Sequence, residues 1–158
     1  TVPVLVLPDG RVIDQSLDIM HWALEGHADS EVLHTPDAQV WLARNDGPFK
    51  RLLDQYKYPQ RSSVAQRDVP RDEAVQTMLR DMNAQLQSSG FMAGAQASAL
   101  DLALFPFVRQ FAAVDAAWFS SLNLPGVQTW LTHWLDSPLF QEAMVKLPAH
   151  TPQLFPSV

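Results

Sequence analysis

Apolar and polar positions follow one period over the first fifteen residues and another over the rest. Val2-Pro3-Val4-Leu5-Val6-Leu7 is an almost continuous apolar run, the pattern of a strand covered on both faces. Pro8-Asp9-Gly10 is a turn signal and Arg11-Val12-Ile13-Asp14 a short returning strand, so the opening predicts a β-hairpin. Two strands are marginal in water and leave unpaired edges. The hairpin is therefore expected to need strands that precede Thr1 or come from a second chain. From Ser16, read as a cap, the period turns helical, with Leu17, Met20, Ala23 and Leu24 on one face and Gly26 as the stop. Residues 27–35 are polar and read as a linker.

Five or six helices are predicted beyond it. Thr35-Pro36 opens one that runs to Arg44, where Asn45-Asp46-Gly47-Pro48 is expected to break it, and Phe49 to Tyr58 forms the next. A polar loop over residues 59–69 precedes a helix from Pro70 to Ser88, capped by Asp68 and closed by Gly90. Its inward face is Val75, Met78, Leu79, Met82 and Leu86. Ser98-Ala99-Leu100-Asp101 has the form of a capping box, with Asp where Glu or Gln is usual. The helix it opens, Ala99 to Phe119, is apolar nearly all round, as a helix in the middle of a bundle is, and Pro106 is expected to kink it. Leu124-Pro125 opens a helix to Asp136 with Val127, Trp130, Leu131 and Trp134 inward. Ser137-Pro138 opens the last helix, ending near Leu147, and the proline-bearing tail from Pro148 is expected to be extended.

At 158 residues and 47% hydrophobic, the chain is long and apolar enough for one medium domain, or one domain and part of another. A net charge of −6 argues against a nucleic-acid binder held by phosphate contacts. No long uninterrupted apolar run predicts a membrane span, and no basic n-region with a cleavage site predicts a signal peptide, so the expected compartment is cytoplasmic. With no cysteine, these residues hold no disulfide, thiolate metal site or cysteine nucleophile. The five histidines show no metal-ligand spacing, so no metal is expected. Charge is unevenly placed. Residues 44–71 hold seven bases (Arg44, Lys50, Arg51, Lys57, Arg61, Arg67, Arg71) against Asp46, Asp54 and Asp68, whereas acids dominate on both sides. That stretch is either a solvated face or a local positive field drawing an anionic ligand toward a cleft.

The order of these motifs resembles a glutathione transferase. Val2-Pro3, the Pro8-Asp9-Gly10 turn and Gln15-Ser16 are similar to the end of that family's thioredoxin-like domain, where a strand with a cis-proline leads through a hairpin to a helix. The Ser98–Asp101 box resembles the family's capping box on its buried central helix, and Phe91-Met92-Ala93-Gly94 its approach to that helix. Phe105-Pro106-Phe107 resembles an aromatic-proline-aromatic step of bacterial-type, omega-like members.

The resemblance implies an α+β remnant of a thioredoxin-like domain, hairpin plus helix, followed by an all-α bundle, the whole mostly α. Residues 1–27 would be the closing part of the glutathione-binding domain, 28–34 a linker and 35–158 the helical domain. It implies that Val2, through its main chain beside cis-Pro3, together with Gln15 and Ser16, binds glutathione, the last two at the γ-glutamyl end. Tyr56, Phe105 and Arg109, with Tyr58 and Trp118, are candidates for the cleft that takes a hydrophobic or disulfide co-substrate, and Ser98 and Asp101 are assigned to folding. The family's catalytic residue lies on a first βαβ unit that these residues lack, and a cysteine is expected there for omega-like members. This chain is therefore expected to be inactive by itself, while the parent runs thiol transfer or conjugation as a homodimer. Two rival readings are a non-catalytic transferase-like binding or scaffolding module, and a glutaredoxin-like or chloride-channel-like relative.

Overall fold

The computed structural model describes residues 3–61 and 67–146. Val2 and its bond to Pro3, the centre of the 59–69 loop and the tail from Pro148 lie outside the described residues. Strands β1 (Leu5–Val6) and β2 (Val12–Ile13) pair antiparallel, Leu5 against Ile13 and Val6 against Val12. The turn closes through Leu7 N–H to Arg11 O at 2.9 Å, with Gly10 at φ 87°, a backbone that side chains disfavour. The strand is not covered on both faces as its apolar run predicted. Leu7 is buried, but Val4, Val6 and Val12 are exposed, because among the described residues no further strand or helix lies over them.

Helix α1 (Ser16–Ala23) starts with Ser16 as its first helical residue rather than its cap. Gln15 holds the cap position, where its extended backbone (φ −113°, ψ 137°) makes the switch from strand to helix. Leu17, Met20 and Leu24 rest half-buried against the core, whereas Ala23 is exposed. The segment read as a linker is a 3-10 turn, Ala28–His34, pinned by Leu33 at 0% exposure. The His21 and His34 rings stack at 4.8 Å between α1 and this turn.

Thr35 caps α2 (Pro36–Arg44), its Oγ1 accepting from Ala38 N–H at 3.3 Å. The expected break at Asn45–Pro48 is a π-turn (Asn45–Phe49) that carries the rod on into α3 (Lys50–Lys57). A π-turn hosts the proline that an α-helical interior rejects, and buried Asn45 and Phe49 fasten the join to the core. A second rod repeats the device: α4 (Asp68–Ala74), a π-turn (Val75–Leu79) and α5 (Arg80–Ser89), closed by Gly90 at φ 86°. Asp68 is not the cap of α4 but lies in its first turn, where it pairs with Arg71 at 2.8 Å, and Arg67 precedes it.

Helix α6 (Ala99–Val114) stops before Phe119 because Asp115 leaves the helical region and caps α7 (Ala116–Ser121), accepting from Trp118 N–H at 3.0 Å. Helix α8 (Pro125–Leu135) follows, and then α9 (Pro138–Ala143), which ends short of Leu147. Nine residues of α6 are buried, and α2, α3, α8 and the 3-10 turn all pack on it, so the apolar helix does occupy the middle of the bundle. Every inward position expected on the second rod and on α8 is buried. The architecture is a two-stranded hairpin leading into a mostly α bundle, the fold class expected from the sequence.

Candidate functional site

The first candidate lies where the hairpin enters α1. A helix N-terminus presents N–H groups with no partner inside the helix and carries partial positive charge. At this one, no side chain caps the helix. The side chains of Gln15 and Ser16 make no hydrogen bond among the described residues, and both residues are exposed, as is Pro3. The corner therefore presents a hydroxyl, an amide and main-chain N–H groups to solvent, a donor set suited to a carboxylate.

The second candidate is an apolar recess of about 330 Å³ between α6, α8 and α9. Leu102, Phe105 and Arg109 line it from α6, Trp134 from α8, and Phe140 and Met144 from the α9 side. Among the described residues that line it, Arg109 is the only charged one, and it sits over the Phe140 ring, 5.4 Å from the centroid. The Trp134 indole N–H is buried with no partner among the described residues. Two of the co-substrate candidates, Phe105 and Arg109, thus share one cavity. Leu102, Trp134 and Phe140 were missed, although Leu102-Phe105-Pro106-Arg109 is a helical stripe visible in the sequence.

Tyr56 does not belong to that recess. It is 1% exposed and falls on the buried stripe Phe49-Leu52-Leu53-Tyr56, with its ring 5.2 Å from Phe111 and Arg67 lying 4.8 Å above it. The i, i+3, i+4, i+7 spacing of that stripe already marks a core side chain. Burial pushes the Tyr56 phenol above its ordinary range, with Arg67 opposing and Asp115 adding to the rise. Trp118 packs half-buried against Tyr56 and Phe111, under Arg71 at 4.2 Å. Tyr58, two residues on, lines a separate recess along α3 with Lys50, Arg51, Asp54 and Arg61.

Ser98 and Asp101 form the capping box of α6. Asp101 is fully buried, and its carboxylate accepts from Ser98 N–H at 3.0 Å and Ser98 Oγ at 2.7 Å. It also accepts from Met92 N–H at 2.9 Å and Trp130 Nε1 at 2.8 Å. Four donors from three segments meet on one carboxylate, which joins the approach to α6, its first turn and α8. A buried anion is tolerable when its lone pairs are filled in this way. Among the described residues, no group of three or more His, Cys, Asp or Glu is placed to hold a metal ion, and no helix is long and apolar enough to cross a membrane.

A helical body built around a boxed, apolar α6, entered from a short hairpin, is a transferase-type helical domain. The family described as glutathione S-transferase, C-terminal domain, matches residues 39–133, more than half of the chain, and the chain belongs to that family. Among solved structures it is similar to the crystal structure of glutathione transferase F7 from Populus trichocarpa, with a TM-score of 0.66 over 90% of this chain and 73% of that one. The two are 18% identical, so that likeness is one of fold. No curated protein matches the chain.

Proposed function

We propose that the chain is the larger part of an omega-like glutathione transferase. Residues 1–27 would close a thioredoxin-like glutathione-binding domain, 28–34 link it, and 35–158 form the helical domain. The observation that carries the glutathione reading is the open corner at Gln15 and Ser16, an uncapped helix start with both side chains unengaged, in a member of a transferase family. Ser16 Oγ and the first N–H groups of α1 bind the γ-glutamyl α-carboxylate, and Gln15 hydrogen-bonds the same moiety. The main chain of Val2, beside Pro3, takes the cysteinyl backbone as an added strand.

The hydrophobic or disulfide co-substrate occupies the α6–α9 recess against Phe105, with Arg109 at any anionic group it carries. Phe105 and Phe107 flanking Pro106 support the omega-like assignment. With no cysteine among the 158 residues, a thiolate nucleophile must come from outside them, activated at a helix N-terminus. The working protein is a cytoplasmic homodimer.

Calorimetric titration of the 158-residue chain with glutathione tests this. Binding is expected, weakened about tenfold by Ser16→Ala, the worth of one hydrogen bond to a charged group. No turnover is expected with an aryl halide or a mixed disulfide of glutathione. Binding that ignores both Ser16→Ala and Gln15→Ala removes the site, and turnover by this chain removes the missing nucleophile.

A further inference from the structure

The seven bases between Arg44 and Arg71 divide into two sets. Arg44 is paired with Asp81 at 2.7 Å, and Arg71 with Asp68 and Asp72 at 2.8 and 2.9 Å. Arg67 donates to Tyr56 O at 3.1 Å, and Lys57 Nζ to Gln110 Oε1 at 2.8 Å. These four hold the fold together. Lys50, Arg51 and Arg61 have no ion pair or side-chain hydrogen bond among the described residues. All three line a single recess of about 600 Å³ along α3 and the turns at its two ends, and Lys50 Nζ also lies over the Phe107 ring of α6 at 5.4 Å.

Their arrangement along the rod is informative. Lys50 and Arg51 open α3, and Arg61 closes the 3-10 turn that follows it. The seven steps of α3 alone rise about 10 Å, so one small oxyanion does not reach both ends. Asp54 lies between them, one turn beyond Lys50, and Tyr58 a further turn on. Asp46 stands at the near end, held by Asn45 Nδ2 at 3.0 Å. Arg61 lies over the Tyr58 ring at 4.3 Å, which steadies the far cation. At the near end the π-turn widens the rod beside Gly47, which has open space where a side chain would stand. A carboxylate in the middle repels an anion there and accepts from a donor.

We propose that this recess binds a small molecule with an anionic group at each end and a neutral, hydrogen-donating middle. Lys50 and Arg51 take one end, Arg61 the other, and Asp54 accepts from the hydroxyls between. The reading is independent of glutathione binding at α1. It assigns these three cations a ligand instead of leaving them as a solvated face.

Calorimetry with fructose 1,6-bisphosphate as probe, at low salt, tests the proposal, with fructose 6-phosphate and inorganic phosphate as single-anion controls. The bisphosphate is expected to bind at least about tenfold tighter than either control, one further charge-assisted contact being worth that much. Arg51→Gln and Arg61→Gln are each expected to lose about tenfold, down to the level of the monophosphate. Arg80→Gln, which removes the same charge from α5, and Ser16→Ala, at the glutathione corner, leave binding unchanged. Equal affinity for the bisphosphate and the monophosphate overturns the two-ended site. Absence of binding, or equal losses in Arg51→Gln and Arg80→Gln, overturns the recess as a site altogether, the second by showing that only overall charge matters.

Discussion

The opening hairpin with α1 and the body from α2 to α8 are held together in different ways. In the body, buried side chains are continuous from Leu33 to Trp134, and polar groups from distant segments converge on shared acceptors. The hairpin has two-residue strands and exposed valines, and α1 has no buried residue. The opening is tied down by Leu7, by the half-buried face Leu17-Met20-Leu24, and by the His21–His34 stack. Among the described residues, Val4, Val6 and Val12 of the opening remain uncovered.

That contrast can be broken at graded points. The largest effect is expected at Asp101. Asp101→Ala leaves four donors at the α6 start without their acceptor and should lower the unfolding free energy by about 3–5 kcal/mol, the range for breaking a buried charged network. Urea denaturation reads it, and a loss below 1 kcal/mol, on the order of an ordinary surface change, would mean that the body does not depend on this node. A middle effect is expected where α5 meets α8. A Cβ added at Gly126 would stand 2.8 Å from the Asn83 carbonyl oxygen, backbone against backbone, so Gly126→Ala should cost about 1–3 kcal/mol. A thermal melt matching the parent would show that the two helices separate freely.

The smallest effect belongs to the opening. Val6→Thr with Val12→Thr should change stability by about 0.5 kcal/mol or less, since both side chains are exposed in this chain. If the same pair is silent in the isolated chain but strongly destabilising in a longer parent, the difference measures the surface that covers the hairpin. A large loss in the isolated chain would instead make the hairpin part of the body.

Local pattern made much of this protein legible. Hairpin chemistry at Pro8-Asp9-Gly10, the cap and proline at Thr35-Pro36, the inward stripe from Val75 to Leu86 and the box at Ser98–Asp101 are all written within a few residues of where they act, and each depends on backbone geometry or helical period alone. The errors arose where a local signal was overruled from a distance. Asn45-Asp46-Gly47-Pro48 reads as a break, yet burial of Asn45 and Phe49 holds the rod continuous through a π-turn. Tyr56 is a different case: the resemblance makes it a cleft candidate, whereas the local stripe Phe49-Leu52-Leu53-Tyr56 marks the core side chain that the fold shows. The basic run offered a solvated face or an anion site, and only the fold separates the cations consumed by Asp68, Asp72 and Asp81 from those left facing a recess.

What the sequence determined by itself, then, is which segments are helices and which faces turn inward, because those follow from spacing along one chain. Which acceptor each donor finds was decided only in three dimensions. Helix α8 has no side-chain cap of its own at Leu124, and Asn83 of α5 supplies one, its Oδ1 taking Gly126 N–H at 2.8 Å from forty-three residues away. Asp101 likewise serves a tryptophan twenty-nine residues on. Such partners carry no signature in the local pattern, since the pairing exists only once the packing of apolar faces has brought the helices together.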